Sequence, residues 1–405
     1  MTKNRSIFKL IMENFLQKNF KNKRVIVRVD FNVPLDDNYK VTDTTRIEFS
    51  KNTIQEIVKK GGICILLSHM GRPISKESKY SLSHIISCVE QILKIPVKFC
   101  EDCIGDMAIE SVNSMKEGEV ILMENVRFYP EETKGDINFA RELSKLGDYF
   151  VNDAFGSIHR AHSSTTIIAN FFKGKKFSGL LLEKEIKSIN RVLKNGEKPI
   201  TAIIGGAKVS SKITVIENLL DKIDFLIIGG GMVYTFIKAL GGEIGESICE
   251  DDFCEYSKKI IKLADDKGVR LLLPEDVVIG SEFSDNAKIN ISSVYTIPKG
   301  WQGLDAGPES IKIFSQIIQK SKTILWNGPI GVFELEPFSN GTKALGKEIV
   351  KRTKEGAFSL VGGGDSISAV KKFGMSEGIS YISTGGGAML EYLEGKNLPG
   401  IDALS

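Results

Sequence analysis

Residues 358–365 read FSLVGGGD, a short apolar run that ends in three glycines and a carboxylate. Four other apolar runs in the second half of the chain also end in glycine, and they lie at residues 200–206, 225–231, 323–328 and 379–387. Near-continuous apolar runs of this length are typical of strands buried on both faces of a parallel sheet. Helix-length segments separate them, so the pattern predicts an α/β fold. Because ligands bind outside the carboxyl ends of such strands, the glycines predict a nucleotide-sized site there.

The first half of the chain contains similar apolar runs, but polar residues follow them. The runs and their following residues are Val25–Val29 with Asp30, Ile63–Leu67 with Ser68-His69, Val120–Met123 with Glu124-Asn125, and Tyr149–Val151 with Asn152-Asp153. One sheet is therefore expected to present side chains to its ligand, and the other backbone amides. A chain of 405 residues is too long for one typical core. The sequence thus predicts two α/β domains with two different ligands.

A helix is predicted between the two halves. Four apolar residues with helical spacing indicate it: Leu182, Ile186, Ile189 and Leu193. Asn195-Gly196 supplies the stop signal. The expected divisions are an N-terminal domain at 1–178, an interdomain helix at 179–195, and a C-terminal domain at 196–389. Residues from about 390 to 405 are expected to pack back on the first domain.

Composition and charge exclude several classes of protein. The chain is 42% hydrophobic and 26% charged, which is ordinary for a globular protein and unlike a disordered or collagenous one. A net charge of +3 gives no reason to expect nucleic acid or an anionic membrane as a partner. Residues 1–15 lack the features of a secretory signal, and no apolar run is long enough to cross a bilayer. We therefore expect a cytoplasmic protein.

The six cysteines are scattered along the chain, which is typical of free thiols in a reducing compartment. Cys100 and Cys103 form a single CxxC, the spacing of a redox pair or of half a zinc site. No second CxxC and no nearby pair of histidines completes such a site. Ordinary buried thiols are the favoured interpretation.

Arginine usage points to an anion site in the first half. The chain has 11 arginines against 43 lysines, and five of the arginines stand at strand ends or in adjoining loops: Arg28, Arg46, Arg72, Arg127 and Arg160. A guanidinium can grip phosphate or carboxylate with two parallel hydrogen bonds. About two of the five are expected to have structural roles, Arg28 first among them. His69, His159 and His162 lie in the same segments, and His162 could also be structural.

Two glycine-rich loops in the second half suggest a phosphate site. Residues 205–212 read GGAKVSSK, and we expect them to follow a strand and open a helix, so that helix-start amides and Lys208 and Lys212 meet an anion. Asp365 is placed to hold Mg²⁺ on a nucleotide, although it could equally be a helix N-cap. Neither a Walker A loop nor a GxGxxG fingerprint is present.

Motifs along the whole chain resemble those of the phosphoglycerate kinases. In the first half these are RVDFNVP at 28–34, SHMGRP at 68–73, ENVRF at 124–128, and NDAFG at 152–156 with HRAH at 159–162. In the second half they are GGAKV at 205–209, GGGM at 229–232, WNGPIGVFE at 326–334, GGGDS at 362–366 and STGGGA at 383–388. The resemblance runs from about residue 24 to 405, and several of its motifs are long and specific.

The resemblance implies two Rossmann-like domains, each a parallel sheet covered by helices and joined by a hinge helix. It implies a phosphotransferase with a carboxyl group as acceptor, which in glycolysis passes the acyl phosphate of 1,3-bisphosphoglycerate to Mg-ADP, giving 3-phosphoglycerate and ATP. The implied acid-binding residues are Asp30, Phe31, Asn32, Arg46, His69, Met70, Gly71, Arg72, Arg127 and Arg160. The implied nucleotide-binding residues are Gly206, Ala207, Lys212, Gly230, Gly231, Gly303, Asn327, Pro329, Glu334, Gly363, Gly364, Asp365 and Ser366. Asp365 would also be the metal ligand, and Arg46, Lys208 and Gly386 would act in catalysis.

This chemistry agrees with the residue types. Both possible nucleophiles, a phosphate oxygen of ADP and a carboxylate, are already ionised, so transfer needs positioning and charge stabilisation rather than a general base. Because an acyl phosphate and ATP both hydrolyse, we expect hinge closure to exclude water. We expect a monomer. A Rossmann oxidoreductase would need the missing fingerprint, and a non-catalytic descendant is disfavoured because Arg46, Lys208 and Asp365 are present.

The chain differs from the family pattern mainly at its beginning. About eight residues precede the family's usual start. They are expected to form either a packed helix or a frayed end.

Overall fold

The computed structural model describes residues 15–405, so the expectation for the first residues lies outside the described part of the chain. The chain divides into two compact units. Unit 1 comprises the described residues up to Ile186 together with Asn397–Ser405, and unit 2 comprises Lys187–Lys396. Among the described helices, none combines the length and apolar character needed to cross a membrane.

Unit 1 is built on a six-stranded parallel sheet. Its strands are β1 (Arg24–Arg28), β2 (Ile63–Leu67), β3 (Val97–Cys100), β4 (Val120–Met123), β5 (Tyr149–Asn152) and β6 (Lys176–Ser178). Their spatial order is β3-β4-β2-β1-β5-β6, and every neighbouring pair is parallel. Strands β2, β4 and β5 are buried along their whole length, as the apolar runs predict.

Helices cover this sheet. They are α1 (Thr45–Lys59), α2 (Ile86–Leu93), α3 (Gly105–Asn113), α4 (Glu131–Lys134), α5 (Ile137–Ser144) and the first part of α6 (Leu180–Leu193). Short 3₁₀ turns lie at Ser78–Tyr80, Leu82–Ile85, Val126–Phe128, Phe155–Ser157 and Ile167–Phe171. The buried faces of α1 and α2 pack with β1, β2 and β4 into one apolar core. A terminal helix, Pro399–Asp402, also belongs to this unit.

A helix, α6, occupies Leu180–Leu193, within the residues 179–195 where the sequence predicts one. Its first amides are held within unit 1: Leu181 and Leu182 donate to Asp153 Oδ1 at 2.9 and 3.1 Å, and Leu180 donates to Thr53 Oγ1 at 2.9 Å. A carboxylate at this position satisfies amides that have no partner inside the helix. The end of β5 and the start of α6 are thereby tied together.

Unit 2 contains a second six-stranded parallel sheet and smaller additions. Its strands are β7 (Ile200–Ile204), β8 (Phe225–Ile228), β9 (Glu243–Ile244), β10 (Arg270–Leu272), β11 (Asp276–Gly280), β12 (Ile289–Ser293), β13 (Thr296–Ile297), β14 (Gln302–Ala306), β15 (Thr323–Asn327), β16 (Phe358–Gly362) and β17 (Tyr381–Ile382). The main sheet has the order β10-β8-β7-β15-β16-β17, all parallel. All five apolar runs that end in glycine are strands of this sheet. The predicted α/β fold class is therefore confirmed.

Helices also cover the sheet of unit 2. They are α7 (Ile213–Leu219), α8 (Val233–Ala239), α9 (Cys254–Asp266), α10 (Pro308–Lys320), α11 (Asn340–Lys354), α12 (Gly364–Lys372) and α13 (Gly387–Leu393). Further 3₁₀ turns lie at Asp251–Phe253, Glu336–Phe338 and Ser376–Gly378. Trp326 is fully buried at the centre of the core that these helices and the sheet enclose.

A small antiparallel sheet, β12-β11-β14, lies outside the main sheet of unit 2, and β13 pairs with β9. The apolar runs do not predict these strands, because β12 is largely exposed. The parallel strands β3, β6 and β10 are missed as well; each is only three or four residues long.

Candidate active site

In unit 1, the polar residues that follow the strands lie close together. Arg46, in the first turn of α1, donates from Nη1 to both carboxylate oxygens of Asp30, at 2.9 Å each. The side-chain oxygen of Asn32 accepts from the Gly71 amide at 2.8 Å. The carboxyl ends of β1 and β2 thus share one network of hydrogen bonds, which joins them to α1.

Arg28 has a structural environment, as the sequence suggests. It is fully buried, its Nε donates to Ser164 Oγ at 2.7 Å, and its Nη1 donates to the Val29 carbonyl. Its Nη2 donates to Nδ1 of His69 at 3.0 Å. Burial is the main cause that lowers the pKa of Arg28, although Glu132 and Asp30 oppose it.

His69 is a neutral donor in this cluster. Burial lowers its pKa well below the ordinary value, and the nearby charges of Arg28, Arg127 and Arg46 lower it further. Because a guanidinium can only donate, Nδ1 of His69 is the acceptor and Nε2 carries the hydrogen. The imidazole therefore adds a hydrogen-bond donor to the site without adding charge.

One nitrogen of the half-buried Arg127 guanidinium has no hydrogen-bond partner in the described part of the chain. Its Nη1 donates to the Gly71 carbonyl at 2.7 Å, but its Nε is buried and has no hydrogen-bond partner within residues 15–405. Burial lowers the pKa of Arg127 to about 10, and the neighbouring Arg28 contributes to the shift. An incompletely paired cation among other cations is the environment of an anion-binding site.

His162 belongs to the same positive region. Burial lowers its pKa to about 4, and the charges of Arg127, Arg28 and Arg160 act in the same direction. Arg72 and Arg160 are exposed. Four of the five arginines proposed from the sequence therefore lie near His69 or His162: Arg28, Arg46, Arg127 and Arg160. The fifth, Arg72, lies near Arg127.

Two predicted acid-binding residues can offer only main-chain atoms. The side chains of Phe31 and Met70 are buried in the core of unit 1. The Phe31 amide donates to Ser68 Oγ at 2.9 Å, and the Met70 carbonyl accepts from Asn125 Nδ2 at 2.8 Å. These two hydrogen bonds hold the main chain directly before Asn32 and directly before Gly71.

In unit 2, three glycine-tipped strands meet through their backbones. The Gly205 amide donates to the Asn327 carbonyl at 2.9 Å, and the Gly230 amide donates to the Ile330 carbonyl at 3.1 Å. A Cβ on Gly205 would overlap the carbonyl oxygens of Gly328 and Pro329. Glycine is required at Gly205 because the loops after β7 and β15 touch there.

The loop at 205–212 differs from its prediction, because α7 begins only at Ile213. Gly206 has a φ of +124°, which is not a helical backbone conformation. The Ser210 amide donates to Glu250 Oε2 at 3.0 Å and is therefore not a free helix-start amide. The loop is an extended turn that leaves Ala207 and Lys208 exposed. The segment follows β7 and leads into α7 as expected, but the helix-start amides lie after it, because Lys212 is the N-cap.

Lys212 is half-buried beside the loops that follow β15 and β16. Its Nζ donates to Asn327 Oδ1 at 2.7 Å, and Asn327 Nδ2 donates to the Gly362 carbonyl at 2.8 Å. Burial lowers the pKa of Lys212, and the charges of Asp365 and Glu394 partly offset that effect. The ammonium group therefore lies near the carboxylate of Asp365.

Asp365 is not the N-cap of its helix. Gly363, with a φ of +92°, occupies the N-cap position, and α12 begins at Gly364. Asp365 lies in the first turn with its side chain exposed, so the carboxylate is accessible to a cation. Ser366, by contrast, is buried, and its hydroxyl accepts from the Gly328 amide.

Two further predicted nucleotide-binding residues, Gly303 and Glu334, and the predicted catalytic residue Gly386 lie on other elements of unit 2. Gly303 lies on β14, where its amide donates to Ser247 Oγ at 2.9 Å and the Tyr234 ring packs against it. Glu334 is exposed, and its carbonyl accepts from Lys372 Nζ at 3.2 Å. Gly386, with a φ of +49°, is the N-cap of α13.

Sequence reasoning did not find two residues that support these sites. Glu250 accepts from both the amide and the hydroxyl of Ser210, at 3.0 and 2.7 Å, and so holds the loop at 205–212. Asn125 accepts from the Arg127 amide at 3.0 Å and donates to the Met70 carbonyl. Asn125 lies within the ENVRF motif at 124–128, which could have identified it. Glu250 is 40 residues from Ser210 in the sequence, and no motif near Glu250 indicates their contact.

Comparison with known proteins shows the family. The profile described as "Phosphoglycerate kinase" matches residues 15–396. The chain belongs to the phosphoglycerate kinase family. A curated phosphoglycerate kinase of Porphyromonas gingivalis is 48% identical over 412 residues, which cover 96% of this chain and 99% of the relative. Phosphoglycerate kinases transfer phosphate, so the prediction of a kinase is confirmed.

Solved structures of phosphoglycerate kinases also resemble this chain. The structure from Coxiella burnetii has a TM-score of 0.87 at 39% identity, and the one from Pyrococcus horikoshii OT3 has a TM-score of 0.81 at 31% identity. Each comparison covers 96% of this chain and 97% of the other. The likeness extends across both parallel-sheet units.

Proposed function

We propose that the chain reversibly transfers the acyl phosphate of 1,3-bisphosphoglycerate to Mg-ADP, giving 3-phosphoglycerate and ATP. The observation that carries this proposal is the half-buried guanidinium of Arg127, whose buried Nε has no partner in the described part of the chain and which lies near Arg28 and Arg72. A phosphorylated acid would supply both the missing acceptor and the missing negative charge. Membership of the family supports the same pair of substrates.

The acid is proposed to bind at the strand ends of unit 1. The residues that would contact it are Asp30, Asn32, Arg46, His69, Arg72, Arg127 and Arg160, with main-chain atoms of Phe31, Met70 and Gly71 shaping the site. The neutral His69 would donate a hydrogen bond from Nε2, while the arginines would supply charge. This division suits a ligand that carries both phosphate and polar oxygens.

The nucleotide is proposed to bind at the glycine-tipped strands of unit 2. The residues assigned to this role are Gly206, Ala207, Lys212, Gly230, Gly231, Gly303, Asn327, Pro329, Glu334, Gly363, Gly364, Asp365 and Ser366. The side chains of Asn327 and Ser366 are already hydrogen-bonded, to Lys212 and Gly362 and to Gly328 respectively. These two residues would therefore position the loops around the nucleotide. The exposed Glu334 would meet the ribose.

Charge on the phosphoryl group in transfer is proposed to be stabilised by Arg46, Lys208 and the Gly386 amide. Arg46 is oriented by Asp30 before any ligand binds, whereas Lys208 is exposed on its loop. Preorganised donors of this kind lower a barrier because they need no rearrangement during the reaction. No general base is required, since both nucleophiles are ionised.

Mg²⁺ is proposed to be held, together with the nucleotide, by Asp365. The site fits a hard cation, because an exposed carboxylate stands at a glycine-lined strand end. Bound Mg²⁺ would reduce the negative charge of the phosphate oxygens.

Transfer between sites on two units requires that the units close, and we propose that α6 is the hinge element. Asp153 and Thr53 fix the first amides of α6 to unit 1, so bending would occur beyond them. Small-angle scattering with and without both substrates tests closure, and identical profiles would contradict it. We further propose a monomeric cytoplasmic enzyme, and light scattering should give the mass of one chain.

A coupled assay tests the proposed reaction. ATP and 3-phosphoglycerate are supplied to the purified chain, and the 1,3-bisphosphoglycerate formed is reduced enzymatically with oxidation of NADH. We expect turnover that depends on ATP, 3-phosphoglycerate and Mg²⁺ together. NADH oxidation without the coupling enzyme would instead indicate an oxidoreductase. The absence of turnover in the complete mixture would overturn the proposal.

A further inference from the structure

Two thiols and a carboxylate meet in unit 2, on residues to which the proposed reaction gives no role. The Sγ atoms of Cys249 and Cys254 and a carboxylate oxygen of Asp251 all lie within 4.8 Å of one another. Among residues 15–405, no other group of three or more such side chains is close enough to hold a metal ion. Cys249 precedes the 3₁₀ turn Asp251–Phe253, and Cys254 is the first residue of α9.

The spacing of the three ligand atoms is close to that of a tetrahedral site. Cys249 Sγ lies 3.2 Å from Asp251 Oδ1. With metal–sulfur bonds of about 2.3 Å and metal–oxygen bonds of about 2.0–2.2 Å, a sulfur and an oxygen ligand of a tetrahedral zinc site lie roughly 3.5–3.7 Å apart, and two sulfur ligands roughly 3.8 Å. The turn between Cys249 and Cys254 thus brings the three ligand atoms to within 4.8 Å of one another, and binding would draw the more distant ones closer.

The surroundings can balance the charge of such a complex. Two thiolates and one carboxylate around a divalent cation carry a net charge of −1. Lys238 donates from Nζ to Asp251 Oδ1 at 2.7 Å and supplies a compensating positive charge. The Thr235 carbonyl lies 3.8 Å from Cys254 Sγ, so an oxygen ligand or a water molecule could complete the coordination.

We propose that Cys249, Asp251 and Cys254 form a binding site for a thiophilic divalent cation of the Zn²⁺ class. Thiolate ligands favour such a metal over Mg²⁺, which prefers oxygen ligands throughout. This site therefore differs in chemistry from the one proposed at Asp365. Binding replaces the two thiol protons by two metal–sulfur bonds and releases two protons for each metal ion.

Proton release makes the affinity depend on pH. In the metal-free protein the Cys249 thiol donates its proton to Asp251 Oδ1 in a hydrogen bond. The cation must displace that proton, so its apparent affinity falls as the pH is lowered. This dependence separates thiolate coordination from adventitious binding to surface carboxylates, which stay ionised to much lower pH.

The site is connected to the loop at 205–212. Glu250, which stands between two of the ligands, holds the amide and the hydroxyl of Ser210. Its own amide donates to Thr235 Oγ1 at 3.1 Å. A cation bound to Cys249 and Asp251 would fix the backbone on both sides of Glu250, and thereby the segment that carries Lys208.

Cobalt absorption tests the site on the full chain. The reduced protein is titrated with Co²⁺ without nucleotide, and we expect a thiolate-to-cobalt charge-transfer band that saturates at one Co²⁺ per chain. Added Zn²⁺ should abolish the band. The Cys249→Ser/Cys254→Ser double variant should lack it, and Asp251→Asn should bind at least about tenfold more weakly. Cys88→Ser, which removes a half-buried thiol outside the cluster, is the matched control.

Several results would overturn the proposal. One is the absence of the band in the reduced wild type. Others are a band that persists in the double variant and a band that disappears in Cys88→Ser. Circular dichroism of each variant checks the fold, so that loss of binding is not confused with unfolding. The readout does not depend on catalysis, so it remains informative even if the proposed phosphoryl transfer fails.

Discussion

Arg46 Nη1 donates to both carboxylate oxygens of Asp30 at 2.9 Å each, so this arginine is held in place before any ligand arrives. The Asp30 side chain is 10% exposed and that of Arg46 is 36% exposed, so the pair lies where the buried sheet end meets solvent. The other guanidinium nitrogens of Arg46 make no contact that competes with a ligand among the described residues. This is the arrangement of a preorganised donor.

Replacing Arg46 by Ala should lower kcat by roughly 10²-fold or more, because one oriented cation is lost from the proposed transition state. The coupled assay measures kcat and KM for both substrates. Arg141→Ala is the control, since that exposed arginine of α5 hydrogen-bonds to the nearby Asn138 and is not among the proposed acid-binding residues. A change in KM alone would assign Arg46 to binding rather than to transfer.

The variant Lys208→Ala should also lose roughly 10²-fold or more in kcat, because Lys208 is the exposed cation of the proposed nucleotide loop. Lys312→Ala, on the exposed face of α10, provides a lysine control. Full activity in Lys208→Ala would remove the role given to this residue and leave the rest of the assignment standing.

Loss of the charge on Arg127 should weaken acid binding. We expect Arg127→Gln to raise the Kd for 3-phosphoglycerate by at least about tenfold, since a charged hydrogen bond contributes about 1.5–3 kcal/mol. Calorimetry on the nucleotide-free protein measures this Kd. Arg24→Gln removes a partly exposed cation that pairs with Asp148 and should bind normally. Equal affinities in the two variants would contradict the anion site.

A pH-dependent contribution to stability is expected from Asp153. Burial raises its pKa to about 7, although hydrogen bonds from Thr53, Leu182 and Leu181 oppose the shift. The native carboxyl binds its proton more tightly than the unfolded one, so its contribution to the free energy of unfolding is most favourable below pH 4. That contribution falls as the pH rises to about 7, by about 1.4 kcal/mol for each unit of pKa difference.

Asp153→Asn keeps an acceptor for the α6 amides and removes this titration. Urea unfolding of the wild type and the variant between pH 4 and 8 measures the difference. We expect the variant to gain stability relative to the wild type as the pH rises through this range. A constant difference would show that the carboxyl does not titrate there.

The sequence predicted the parts of the fold that depend on local patterns. Runs such as Ile200–Ile204 are buried on both faces, and their composition alone indicates parallel strands. Strand β12 was missed because Ile289 and Ile291 are about half exposed and its partners lie outside the apolar runs. Its pairing arises from tertiary contacts, which a local pattern does not contain.

The sequence predicted which residue types form the candidate site. It did not predict the side-chain contacts that hold those residues in place. Arginine usage pointed to Arg46 and Arg127, whereas the contact between Glu250 and Ser210 joins residues 40 positions apart. That contact also engages the Ser210 amide in the loop before α7, which begins at Ile213. Side-chain contacts of this kind become visible only once the chain is folded.

The place of Asn397–Ser405 has a consequence for synthesis of the chain. These residues belong to unit 1, where the Gly400 amide donates to the Ile158 carbonyl at 3.0 Å and Lys176 Nζ donates to the Ala403 carbonyl at 2.6 Å. The ribosome makes them only after all of unit 2. Unit 2 can therefore fold as one continuous segment during translation, while unit 1, although begun first, is completed last.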